Sequence, residues 1–292
     1  MLTINGKPVP GTKDVNIGNV YFSPDGKRYA VLCFTGSAYF MIIDGKKGQE
    51  YQFIHKPTFS PDSSKMVYNA KSGSLEFVVV EGEESDGYTS IALQPVFGGG
   101  SKHIGFIGRR GEENIAVVDG KAVGKWSAAK TPNLLSFSPD GSHYTYLYDK
   151  FLYLDGVAQS GIEVGAFDSS PNVQSFGFLF SPDSKHILIR GSLIADKASP
   201  VGLLLDGKYF ASLTFGGASH PMFTPDSQHL LWASPRRTAG KDDRENAVLF
   251  VDGKAAVQYE KWDQLYKLPG NWELSDGVLT YVAISGGAIK RF

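Results

Sequence analysis

Phe22-Ser-Pro-Asp-Gly-Lys-Arg-Tyr-Ala-Val-Leu-Cys-Phe34 decides the fold. It joins an aromatic residue, a proline-containing turn, a basic residue and an apolar run, and the same succession returns along the chain. Phe-Ser-Pro-Asp recurs at Phe59, Phe137 and Phe180, and Phe223 opens the variant Phe-Thr-Pro-Asp. Phe97-Gly-Gly-Gly100 and Leu274-Ser-Asp-Gly277 are degenerate copies. The seven opening motifs are spaced 37, 38, 40, 43, 43 and 51 residues apart. A period of this length is the sign of a repeat architecture.

A second signal runs out of phase with the first. Apolar runs end in Asn5-Gly6, Asp44-Gly45, Glu81-Gly82, Asp119-Gly120, Asp155-Gly156, Asp206-Gly207 and Asp252-Gly253. Such pairs supply the positive φ angles of a tight hairpin turn, so each is expected to join two antiparallel strands. Runs such as Phe40-Met-Ile-Ile43 and Phe77-Val-Val-Val80 are continuously apolar, as strands buried on both faces are. Glu50-Tyr-Gln-Phe-Ile54 alternates instead and is read as one edge strand. Only residues 260–267 suggest a helical turn.

Four short antiparallel strands per repeat make an all-β, seven-bladed β-propeller, one domain over residues 1–292. The last repeat lacks a Gly turn and an outer strand, while the first Gly turn has no opening motif before it. Residues 1–13 are therefore expected to pair with residues 271–284, completing the last blade and closing the ring.

Ser-Pro-Asp-Gly or Ser-Pro-Asp-Ser after an aromatic, then a basic residue and an apolar strand, resembles the TolB-type propeller repeat. The resemblance covers essentially the whole chain. It implies the fold and leaves activity open, because that repeat occurs in periplasmic scaffolds, peptidase gating domains and polysaccharide lyases. The Asp-Gly-Lys turns at Asp44, Asp206 and Asp252 depart from its simplest form. No Gly-His and Trp-Asp pairing recurs, which sets the chain apart from standard WD repeats.

Composition narrows the function classes. Twenty-nine basic residues against thirty acidic ones offer no global field for nucleic acid or anionic lipid. No apolar run has the length of a membrane span. Met1 is followed at once by Leu-Thr-Ile-Asn-Gly, read as strand and turn and not as a leader. The single cysteine, Cys33, lies in an apolar run and is expected to be a small core residue.

Opening motifs and Gly turns fall on one face of such a disc, here called lower. A basic residue stands six positions after the first residue of the opening motif in six repeats: Arg28, Lys65, His103, His143, His186 and His229. Equivalent positions diverge around a ring, so these are read as strand-start residues facing solvent or the next blade, and no shared metal is expected. Motif aspartates such as Asp25 and Asp62 are read as turn formers.

The upper face carries the connections of unequal length, where individual function resides. Long connections lie at 190–200, 234–246, 160–173 and 260–271. The partner-binding candidates are Arg236, Arg237, Arg190, Trp262, Arg109 and Arg110, since Arg and Trp concentrate binding energy. His55 and His220 stand outside the repeat near the channel mouth, where a bound metal or a general base is conceivable. There is no Gly-x-Ser-x-Gly elbow, phosphate loop, His-Glu-x-x-His or cysteine pair. The leading expectation is a monomeric, non-enzymatic binding or scaffold propeller, without a cofactor, for a protein or glycan partner. The alternatives are a lyase-like carbohydrate-active enzyme working at the channel mouth and a propeller domain of a larger protein.

Overall fold

The computed structural model describes residues 1–130, 133–159, 161–164, 178–193, 202–212, 221–235, 247–259, 272–275, 278–285 and 288–291. They are all-β, and every described strand pair is antiparallel. The chain divides into two compact units, residues 1–149 with 153–158, and residues 150–152 with 159–292.

β1 (Thr3–Ile4) and β2 (Lys7–Pro8) form a hairpin about Asn5-Gly6. The first sheet runs β3 (Asn16–Phe22), β4 (Tyr29–Phe34), β5 (Tyr39–Ile43), β6 (Lys46–Tyr51). In the second, β7 (Phe53–Ile54) and β8 (Thr58–Phe59) both pair with β9 (Met66–Ser72), followed by β10 (Leu75–Val80) and β11 (Glu83–Glu84). The third is β12 (Ser90–Gly98), β13 (His103–Arg110), β14 (Glu113–Val118), β15 (Lys121–Ser127). The fourth is β16 (Asn133–Phe137), β17 (Tyr144–Tyr148), β18 (Phe151–Leu154), β19 (Val157–Ala158). In the fifth, β20 (Ile162–Val164) and β21 (Phe178–Phe180) both pair with β22 (Ile187–Leu193), followed by β23 (Gly202–Leu205) and β24 (Lys208–Ser212). The sixth is β25 (Met222–Phe223), β26 (Leu230–Pro235), β27 (Ala247–Val251), β28 (Lys254–Tyr259), and the seventh β29 (Trp272–Ser275), β30 (Val278–Ser285), β31 (Ala288–Arg291). Seven repeats thus give seven sheets of the propeller-blade type.

The double burial expected of the apolar runs has a simple origin. Along β9, Met66, Tyr68 and Ala70 pack with Met41 and Tyr51 of the preceding sheet. The intervening Val67 packs with Phe106, Ile115 and Val117 of the following one. Ile107 and Ala116 meet Leu135 and Tyr146 in the same way, and Leu188 and Leu203 meet Phe223 and Trp232. Successive side chains point to opposite faces, so a strand sandwiched between two sheets is apolar throughout. Cys33 is fully buried beside Val9, Val31 and Phe40, and burial pushes its thiol pKa up. The N-terminal residues pack on the first sheet through Val9; among the described residues β1 and β2 pair only with each other.

Two readings need correction. Glu50–Ile54 is not one strand: β6 ends at Tyr51, and Phe53 and Ile54 open the next sheet against Lys71 and Ala70. The extra length near residue 165 does not precede a strand but interrupts one. β20 already pairs with β22 through Val164↔Gly191, and pairing resumes at Phe178↔Ile189. The innermost strands of the first, third and fourth sheets show only local bulges, as between Ile17 and Val20. A register counted from sequence alone cannot see which side of such a break is already hydrogen-bonded. The helical turn considered at 260–267 lies outside the described residues.

Candidate functional site

The opening turns are built from their own side chains. Gly26 N–H donates to Ser23 O at 2.9 Å, closing the turn that Pro24 presets. The buried Ser23 hydroxyl donates to Asp25 Oδ1 and accepts the Arg28 N–H at 2.9 Å. Asp25 Oδ1 also accepts the Lys27 N–H. Ser60, Asp62 and Lys65 repeat this set, as do Ser138 with Asp140, Ser181 with Asp183 and Thr224 with Asp226. These bonds favour the carboxylate form: the Ser23 hydroxyl, then the Lys27 amide, hold Asp25 near a pKa of about 2, and Asp62, Asp183 and Asp226 are depressed likewise.

Six positions after the start of each opening motif, the side chain meets the Gly turn of its own sheet. His103, His143, His186 and His229 place Nδ1 2.6, 2.6, 2.8 and 2.6 Å from Asp119, Asp155, Asp206 and Asp252. The second oxygen of each aspartate accepts the next backbone N–H, for example Ile104 N to Asp119 Oδ1 at 2.9 Å. Each pair straps the opening turn to the hairpin turn. The partner of these histidines is therefore the turn aspartate, in place of the solvent or next blade expected from sequence. Sequence holds a signal for this, since His occurs here only where the turn reads Asp-Gly.

Arg28 reaches further. Its Nε donates to Asp44 at 2.8 Å, its Nη2 to Glu81 of the second repeat at 2.7 Å, and its Nη1 to Ser64 O. The longer, forked guanidinium lets one residue bind both turns, where each histidine's Nδ1 meets the aspartate of its own turn. Among the described residues, no cluster of three His, Cys, Asp or Glu side chains is arranged to hold a metal ion.

Arg110 and Arg109 are engaged locally. Arg110 lies over the Tyr88 ring at 4.9 Å and pairs with Asp86 at 3.2 Å, closing the junction of the second and third repeats. Both arginines lie at the end of β13 and not in a loop, and Arg109 Nε donates to Gly111 O in the turn that follows. His55 sits in the break between β7 and β8, its ring edge-on to Phe53 at 4.9 Å and its N–H bonded to Asn69 O. His220, Arg236, Arg237 and Trp262 lie outside the described residues, and with His220 any pairing across the mouth with His55.

Arg190 stands apart. It lies within β22, not in the connection expected from residue 190 onward, at the one position between Ile189, which pairs with Phe178, and Gly191, which pairs with Val164. The equivalent position holds Leu32, Asn69, Ile107, Leu147 and Ala233 in other repeats. Its Nε is buried and has no hydrogen-bond partner among the described residues.

No family model and no curated protein matches the sequence. Among solved structures, the chain is similar to TolB from Acinetobacter baumannii, at 15% identity and TM-score 0.32 over 83% of this chain and 62% of that one. It thus spans less than two thirds of the TolB chain. The β-propeller domain of the Trilobed protease from Pyrococcus furiosus aligns at 10% identity and TM-score 0.39, over 96% and 98% of the two chains. Oligogalacturonate lyase from Vibrio parahaemolyticus aligns at 13% and 0.37, over 95% and 90%. The repeated four-stranded sheets give the chain a propeller-type fold; likenesses this distant assign it no activity.

Proposed function

We propose that the chain is a non-enzymatic binding propeller, its seven sheets closed into one ring by residues 1–13 joining the last sheet. Its partner is a protein or glycan, bound at the sheet ends opposite the opening turns. The observation that carries this reading is Arg190. A buried guanidinium nitrogen without a hydrogen bond is costly; the Arg190 Nε has none among the described residues, at a position where most other repeats use apolar residues. A partner carboxylate or carbonyl that reaches this nitrogen supplies the missing acceptor. Arg236, Arg237 and Trp262, on the long connections of the later repeats, are proposed as rim contacts.

The test uses the repeat's own alternative. Arg190→Leu copies Leu32 and Leu147, so the variant is expected to fold with an unchanged or higher melting temperature. Labelled wild-type and variant proteins are applied to glycan and peptide arrays. Loss of the wild-type signals in a folded Arg190→Leu supports the reading. Signals that survive the substitution, or arrays on which the wild type binds nothing, count against it.

A further inference from the structure

A cleft of 530 Å³ lies between β6 of the first sheet and the Glu81-Gly82 turn of the second, within the size range of small-ligand sites. Neither the straps nor Arg190 accounts for it. Its floor is Arg28, which holds Asp44 and Glu81 together and so fixes the separation of the two walls. The histidines of repeats three to six instead bond the aspartate of their own turn.

Arg28 pairs with both Asp44 and Glu81, so these three groups together carry one net negative charge, and the walls are unmatched. Lys46 on one side and Glu83 on the other have no ion pair among the described residues, and the Gln49 amide has no hydrogen bond there. Among the described residues β6 is an edge strand with β5 as its one neighbour. The two-residue turn makes Ile43–Lys46 the hydrogen-bonded pair, so in the next pair, Ile42–Lys47, the Lys47 N–H and C=O point to the open edge. Beyond it a bulge sets Gly48 and Gln49 opposite Met41, where a Cβ on Gly48 would come 3.3 Å from Met41 O and 3.7 Å from the Tyr68 hydroxyl. That hydroxyl is buried, belongs to a side chain 1% exposed, and lacks a hydrogen bond of proper geometry among the described residues.

We propose that this cleft binds an extended peptide segment, which adds to β6 as a fifth strand. A peptide matches the open edge and the wall charges: backbone amides for Lys47, a side-chain carboxylate for Lys46 and a cation for Glu83. The site is separate from Arg190 and does not depend on the function proposed above.

The test titrates the ¹⁵N-labelled full chain with the end-blocked pentapeptide Ac-Glu-Val-Thr-Val-Lys-NH₂. Saturable shifts are expected at residues 46–49 and 81–83, with slowed exchange of the Lys47 amide. Lys47→Pro removes the outward N–H while leaving the ladder intact, and is expected to abolish binding. Lys46→Glu should weaken it about tenfold, and Arg190→Leu should bind as the wild type does. The proposal is overturned by absence of saturable shifts up to about 5 mM peptide, by shifts centred elsewhere, or by Lys47→Pro binding normally.

Discussion

Ser63 Oγ accepts the backbone N–H of Asp25 at 3.1 Å, while Ser63 itself sits at φ 66°. One residue thus accepts a left-handed backbone and ties the opening turn of its own repeat to that of the repeat before. Ser101 does the same for Asp62 and Ser227 for Asp183, at φ 80° and 62°. Glycine would hold this conformation without strain, as Gly26 does at φ 70°, but has no hydroxyl to offer. Ser63→Ala is therefore expected to cost about 1 kcal/mol through the lost hydrogen bond. Ser63→Gly should cost less, because it also relieves about 1 kcal/mol of left-handed strain. Denaturation midpoints of the two variants decide this; equal losses would remove strain from the explanation.

Arg28 gives a second prediction. Arg28→His reproduces the residue of four other repeats and should keep the Asp44 contact while losing Glu81 and Ser64. A loss of about 1–2 kcal/mol is expected for the charge-assisted bonds, with Glu81→Gln non-additive to it. A double-mutant cycle on melting reads the coupling, and additive losses would mean the bridge between the repeats does not contribute.

Acid should loosen the opening turns. Asp25, Asp62, Asp183 and Asp226 are depressed in the folded state, first by the hydroxyls of Ser23, Ser60, Ser181 and Thr224. Groups with lowered folded pKa contribute stability that is present above the unfolded value of 3.8 and disappears as pH falls toward about 2. The melting temperature should drop across that window. Ser23→Ala should shrink the drop, and an identical acid profile for that variant would contradict the assignment.

His229 has the opposite sign. Asp252, hydrogen-bonded to its ring, raises the imidazole pKa above 6.5. Its stabilisation is present below that value and lost as pH rises through the raised one. His229→Arg, which stays charged, should flatten the pH dependence of melting on the alkaline side of about pH 7. The same slope in both proteins would rule the pair out as its source.

The features legible in the sequence are those made by neighbouring residues. Ser-Pro-Asp turns and Asp-Gly hairpins follow from local dihedral and hydrogen-bond preferences, so seven sheets can be counted from them. Contacts between distant turns are not legible. That His103 meets Asp119, or that Arg28 reaches Glu81, depends on how the ends of strands converge on one side of a sheet. The interruption between β20 and β21 escapes a sequence reading because pairing register is a property of two strands, and Ile162–Val164 is too short to announce itself. In the sequence Arg190 is one arginine among several; its place within β22, with an Nε that has no partner among the described residues, distinguishes it.

The interruption also has a bearing on how such chains acquire new parts. Where the first sheet tolerates one surplus residue between Ile17 and Val20, the fifth accommodates thirteen between Val164 and Phe178 against a single residue of β22. Ladder bonds on either side survive in both cases, so inserted length does not propagate into the alternation that keeps each strand buried. The strand paired to β22 is thereby a seam, where a long stretch of chain separates two paired segments that keep their register to one partner.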